Sequence, residues 1–211
     1  NLNKLIVIAN PNAPTGLALS LAEIEEILKA NPESVVVIDE AYVDFGGESA
    51  VGLIKKYPNL LVVQTYSKSR SLAGARLGYC FGDKGLIDDL KRIKYSTNPY
   101  NVNHLTQTAG AAALDEEEYY QENCRKICAT RAKTAAALKE MGFSLTDSKT
   151  NFLFIKKDGL DGEYLYKELK KQGILIRHLS GERIRDYNRV TIGTAEEMEV
   201  FLSKVREITG G

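Results

Sequence analysis

Three runs of uninterrupted apolar residues limit what this chain can fold into: Leu5-Ile6-Val7-Ile8-Ala9, Val35-Val36-Val37-Ile38 and Leu60-Leu61-Val62-Val63. Each has the length of a strand, and none alternates between apolar and polar. A strand with one face in water must alternate, so these runs belong to strands covered on both faces, as in a parallel sheet flanked by helices. Between the first two, Ser20 and Glu23 have the spacing of a capping box and predict the start of a helix. The layering is α/β. A short fourth strand at 77–81 and a helix at 84–94, after Gly82-Asp83, extend it.

A polar, turn-rich stretch at 95–101 interrupts this pattern, and a long helical region follows from about 104 to 141. The junction between a first unit, 1–110, and a second, 111–211, is placed inside that region. Gly142 reads as a helix C-cap. After it come a strand at 151–155, a helix at 162–171, strands at 174–177 and 190–193, and a closing helix capped by Thr194 with Glu197 three residues on. The second unit therefore reads as a small α+β domain. No internal repeat or low-complexity segment is present.

The 28 Lys and Arg balance the 28 Asp and Glu, so no net field draws the chain to nucleic acid or an anionic membrane. No segment approaches the ~20 apolar residues that span a bilayer, and no secretory leader is recognisable. Cys80, Cys124 and Cys128 are odd in number, which suits a reducing cytosol better than a disulfide framework. Cys124 and Cys128 share a helix face but have no third ligand nearby, so no metal is expected. The chain opens on Asn1 and enters a buried strand within a few residues, which leads us to expect further elements ahead of it.

Three polar groups follow the apolar runs, at the strand ends where open α/β sheets place ligands. The first is Asn10-Pro11-Asn12-Ala13-Pro14-Thr15-Gly16, which by itself is a rigid turn. The second is Asp39-Glu40-Ala41-Tyr42. A carboxylate leaving a buried strand needs a cation or strong donors: either a protein residue such as Arg70 or Arg76, or a protonated ring nitrogen on a ligand. The third, Thr65 to Gly78, gathers hydroxyls, Lys68, Arg70 and Arg76 among small residues, a composition suited to a phosphate monoester. A nucleotide P-loop is excluded because Gly47 to Gly52 continues with Leu53-Ile54 and lacks the lysine. The dinucleotide fingerprint is excluded because Gly-x-Gly is absent.

In this order and spacing, Pro14-Thr15-Gly16, Asp39-Glu40-Ala41-Tyr42, Ser67-Lys68 and Arg76, eight positions after Lys68, resemble the fold-type I aminotransferases that use pyridoxal 5'-phosphate (PLP). Within these the match is to the histidinol-phosphate aminotransferase family, along nearly the whole chain. The resemblance implies part of a mostly parallel PLP-transferase sheet. It also assigns roles. Lys68 would hold the cofactor in a Schiff base and later shuttle a proton, Asp39 would keep the ring nitrogen protonated, and Tyr42 would donate to the ring oxygen. Thr65, Ser67 and Arg76 would bind the phosphate. The family asparagine ahead of Pro-Thr-Gly is Ala13 here, which leaves Asn12 to replace it.

In the second unit the same resemblance makes Arg189 the clamp for a substrate carboxylate, Arg177 a contact for the substrate's phosphate end, and Asn151 an active-site residue. His104, His178, the acidic stretch 115–118 and the tyrosines Tyr119, Tyr120, Tyr164 and Tyr166 read as surface or packing residues. The implied reaction moves an amino group from glutamate to imidazole-acetol phosphate in histidine biosynthesis, in a cytoplasmic homodimer acting on small amino and keto acids. Aromatic aminotransferases and threonine-phosphate decarboxylase share much of this pattern. The family is longer at its amino terminus, so an inactive fragment or an interaction module is the reading from another class.

Overall fold

The computed structural model describes residues 5–210, so the expectation raised by Asn1 lies outside the described residues. Strands β1 (Leu5–Ala9), β2 (Val35–Asp39) and β3 (Leu60–Thr65) pair in parallel in that order, and β4 (Gly78–Gly82) runs antiparallel beside β3. The sheet is thus mixed but mostly parallel. Its register sets Ala9 opposite Asp39, Asp39 opposite Val63, and Thr65 opposite Gly78. All three carboxyl ends therefore reach the same edge, and the polar residues after each run converge there.

Helix α1 (Leu21–Ala30) forms as the capping box requires: Ser20 Oγ accepts from the Glu23 N–H at 3.3 Å, and Glu23 returns a carboxylate oxygen to the Ser20 N–H at 2.7 Å. Its Ile24 and Leu28 are buried against Val36, Ile38, Leu60 and Val62. Full burial of such side chains contributes about 1.5–3 kcal/mol each. Helix α2 (Lys84–Thr97), capped by Asp83, buries no residue. The long helical region is two helices, α3 (His104–Asp115) and α4 (Glu117–Glu140), broken at Glu116.

A second, wholly antiparallel sheet has the order β5 (Ser144–Leu145), β6 (Phe152–Lys156), β8 (Asn188–Thr191), β7 (Arg177–His178). Helices α5 (Gly162–Lys171) and α6 (Ala195–Thr209) and the end of α4 bury Leu138, Leu165, Leu169, Phe201 and Val205 against it. Two expected strands shift. Gly173, at φ +80°, lets the Ile174 N–H return to the Leu169 carbonyl and close α5. That leaves 174–176 outside the sheet, and only Arg177 and His178 pair. The last strand begins two residues earlier than expected, at Asn188, because it is paired from Ile155 onward. The 110/111 position falls within α3.

The two sheets are joined through the loops beside them and through α4. The Lys149 N–H donates to the Gly16 carbonyl at 2.8 Å and the Thr146 hydroxyl to the Thr15 carbonyl at 2.5 Å. Arg131 of α4 donates to the carbonyls of Phe45, at 2.8 Å, and Thr150. Among the described residues no helix is long and apolar enough to cross a membrane.

Candidate active site

At the carboxyl edge of the first sheet a cleft of about 430 Å³ is lined by Asp39, Thr65, Ser67, Lys68 and Arg76 together with Gln64 and Gly78. Five of the residues singled out in the sequence therefore meet, although they come from β2, β3 and the loop that follows. Asp39 ends β2, and its carboxylate accepts from the Ala41 N–H at 3.0 Å. Neither candidate protein cation reaches it. Arg70 is taken by Glu117 at 2.5 Å and Arg76 donates to the Ala73 carbonyl at 2.9 Å. Asp39 thus lines the cleft with no ion pair among the described residues, the arrangement expected where a ligand supplies the cation.

The loop carrying Lys68 is closed at its base, with the Tyr66 N–H donating to Leu77 at 3.1 Å and the Leu72 N–H to Tyr66 at 2.9 Å. Thr65 Oγ1 accepts from the Ser67 N–H at 3.0 Å and donates to the Leu77 carbonyl at 3.3 Å. Arg76 adopts a left-handed backbone, φ +55°, which few residues with a Cβ occupy. Such geometry clusters at functional sites. The Arg76 guanidinium, the Ser67 hydroxyl and Lys68 form a donor-rich rim that can hold a dianionic phosphate, and the Thr65 hydroxyl, turned to Leu77, would have to rotate to join them.

Tyr42 lies just outside this rim, with Lys68 Nζ 5.2 Å from its ring centroid. From there an aromatic path leads to the second sheet. The Tyr42 ring meets Phe152 edge-on at 5.3 Å, and the Arg189 guanidinium carbon sits 5.0 Å from the Phe152 ring. Arg189 Nε is buried with no hydrogen-bond partner among the described residues. A buried guanidinium N–H left open in this way favours an anion that is not part of the chain. Arg177 is exposed on β7, and the Asn151 carbonyl accepts from Ile192 at 2.9 Å. Asn12 is not among the residues lining the cleft; its carboxamide oxygen accepts from Thr15 at 2.7 Å.

Sequence reasoning missed Glu40. It is 2% exposed and accepts from Ser49 Oγ at 2.7 Å, the Ala50 N–H at 2.6 Å and Gln64 Nε2 at 2.7 Å. Gln64 in turn accepts from the Tyr79 hydroxyl at 2.8 Å. This chain fixes a cleft-lining side chain from behind. The available signal was a second carboxylate directly after a buried strand. Among the tyrosines, Tyr119 is exposed but meets Tyr120 edge-on at 5.2 Å, Tyr164 is exposed, and Tyr166 stacks with His178 at 6.1 Å.

The sequence matches the aminotransferase class I and II family over residues 1–205. A histidinol-phosphate aminotransferase of Brachyspira hyodysenteriae is 52% identical over 209 residues, covering 99% of this chain and 59% of that protein. One from Clostridium botulinum is 50% identical over 96% of this chain and 57% of its own length. The chain thus spans under two thirds of the curated relatives it matches. Among solved structures, histidinol-phosphate aminotransferase from Clostridium acetobutylicum superposes with a TM-score of 0.90 at 27% identity, covering 98% of this chain and 64% of that one. The Sinorhizobium meliloti enzyme, solved in complex with pyridoxal-5'-phosphate, superposes at 0.87 with 25% identity, covering 98% and 57%. L-threonine-O-3-phosphate decarboxylase from Porphyromonas gingivalis superposes at 0.85 with 26% identity, covering 99% and 65%.

Proposed function

This chain belongs to the class I and II aminotransferases, and on that premise we propose that it serves PLP-dependent amino transfer from glutamate to imidazole-acetol phosphate, the histidinol-phosphate aminotransferase reaction of histidine biosynthesis. One observation carries the reading: Lys68 and an Asp39 without an ion pair line the same cleft as Thr65, Ser67 and Arg76. These groups fit PLP, which needs an amine, an acid and a phosphate cradle. Bound there, the cofactor supplies an electron sink for the pair left when the substrate Cα–H bond breaks.

The chain's own groups supply the rest. Lys68 Nζ would take the proton from the substrate Cα and deliver it to C4′ of the cofactor. The Asp39 carboxylate holds a proton on the ring nitrogen, and the Tyr42 hydroxyl donates to the ring oxygen. Arg76 contributes charge to the phosphate while Thr65 and Ser67 orient it. Asn12, whose carboxamide oxygen is held by Thr15, would replace the family asparagine through its carboxamide N–H₂ group. Arg189 clamps the substrate carboxylate, Arg177 meets its phosphate end, and Asn151 supplies a further substrate contact, roles taken from the family resemblance. We assign the second sheet and its helices to a small carboxy-terminal domain, 111–211, and the full-length protein to a cytoplasmic homodimer.

Adding PLP, recording the absorbance spectrum, reducing with borohydride and mapping peptides tests the cofactor assignment. An adduct on Lys68 supports it, and modification spread over surface lysines refutes it. Imidazole-acetol phosphate against phenylpyruvate as acceptor separates the two transaminations. The likeness to the Porphyromonas decarboxylase favours a second reading, distinguished by carbon dioxide release. Leu5 and Val7, 60% and 63% exposed on β1, favour a third, in which these 211 residues associate through an open sheet edge without catalysis.

A further inference from the structure

Both residues that follow Lys68 are anchored, and to different elements. Ser69 is buried and its hydroxyl donates to Asp44. Asp44 lies two residues beyond Tyr42, in the 3₁₀ turn Val43–Phe45. Arg70 turns the other way: Nη2 is 2.5 Å from a Glu117 carboxylate oxygen, the guanidinium carbon sits 5.2 Å from the Tyr120 ring, and the side chain is 13% exposed. Glu117 opens α4 and is braced by Gln121 at 2.8 Å. The backbone between them is fixed too. The Ser71 N–H donates to the Lys68 carbonyl at 3.1 Å, and Ser71 takes a left-handed φ of +56°.

A lysine side chain on an exposed loop otherwise samples many rotamers. Here the peptide bearing it is tied on one side to the Tyr42 segment and on the other to α4. The contact is single, Nη2 to one carboxylate oxygen, with Nη1 buried and without a hydrogen-bond partner among the described residues; direction comes from that ion pair together with the Tyr120 ring against the guanidinium. We propose that Arg70, seated on Glu117, is a positioning residue for Lys68: with the Ser69–Asp44 hydrogen bond it fixes the ε-amine over the Tyr42 ring. Its catalytic consequence rests on the reading of Lys68 given above. The clamp itself does not.

Reductive methylation of the chain's lysines with ¹³C-formaldehyde, followed by NMR, tests this without any cofactor. Lys68→Arg identifies the Lys68 resonance, which the Tyr42 ring shifts upfield; Tyr42→Leu abolishes that shift. Arg70→Met and Glu117→Gln lose it while remaining folded by circular dichroism, and Arg70→Lys, which keeps the charge, retains part of it. With PLP and borohydride, the share of label on Lys68 falls about tenfold or more in Arg70→Met. The proposal is overturned if folded Arg70→Met or Glu117→Gln keeps the native shift and a label share within about twofold of the parent. Glu117 is half exposed, so its variant remains folded if Arg70→Met does not. Should the parent chain label only surface lysines, the cofactor reading fails while the methyl shift still decides the clamp.

Discussion

Arg177 and Arg189 stand directly opposite each other on adjacent antiparallel strands. Like charges so placed repel by about 0.2–1 kcal/mol, and Arg189 also leaves Nε buried without a partner. The pair makes sense as a receptor for an anion. In Arg189→Met the repulsion and the open donor vanish together, so stability falls by less than about 0.5 kcal/mol in anion-free buffer. Added phosphate is expected to raise the melting temperature of the parent chain and to do so far less in the variant. Equal phosphate gains in both, by calorimetry, would refute the idea.

Gly16 is required twice over. Its φ is +75°, and a Cβ there would lie 2.5 Å from Ser148 Oγ and 3.0 Å from Ser148 Cα. The turn it closes also receives the Lys149 N–H. Gly16→Ala is therefore expected to cost about 1–3 kcal/mol in urea denaturation. A loss near zero would mean the turn does not brace the two sheets.

The parallel part of the first sheet was legible in the sequence because β1 to β3 are apolar on both faces, although β1 leaves Leu5 and Val7 exposed where covered strands were expected. Ser20/Glu23 and Thr194/Glu197 gave the helix starts because side chain and backbone cap each other locally. Residues 174–176 were not legible. They are as apolar as a strand, but the competing bond from Ile174 back to Leu169 depends on where α5 stops. The two-residue strand β5 is too short to show a period. In the site, Lys68, Asp39 and Arg76 stood out through their chemistry. Glu40 and Phe152 did not, because one acts through Gln64 on the neighbouring strand and the other lies between Tyr42 and Arg189, a relation that exists only once the two sheets meet.

Glu40 supplies the next prediction. Its carboxylate satisfies three donors inside the protein, with no ion pair among the described residues. Glu40→Ala leaves the Ala50 N–H and Gln64 amide unpaired and should destabilise by about 2–5 kcal/mol. Glu40→Gln keeps one acceptor oxygen but turns an N–H₂ towards donors, and falls between parent and alanine. A ranking with Gln as poor as Ala would assign the effect to charge rather than to hydrogen bonding.

Cys124 gives a pH dependence of known sign. Burial, then the nearby Asp44 carboxylate, pushes its thiol up from 9.0 to about 11. The folded chain therefore resists forming the thiolate while the unfolded chain does not. Linkage follows directly: the contribution is fully present below pH 9, and it is lost as pH rises from about 9 through about 11. Cys124→Ala should flatten that part of the stability curve measured by urea denaturation at stepped pH. In the folded parent at about pH 8, Cys124 should also alkylate far more slowly than a free thiol, since only the thiolate attacks. Rapid, selective alkylation of Cys124 under native conditions would show instead that α4 opens often enough to expose it.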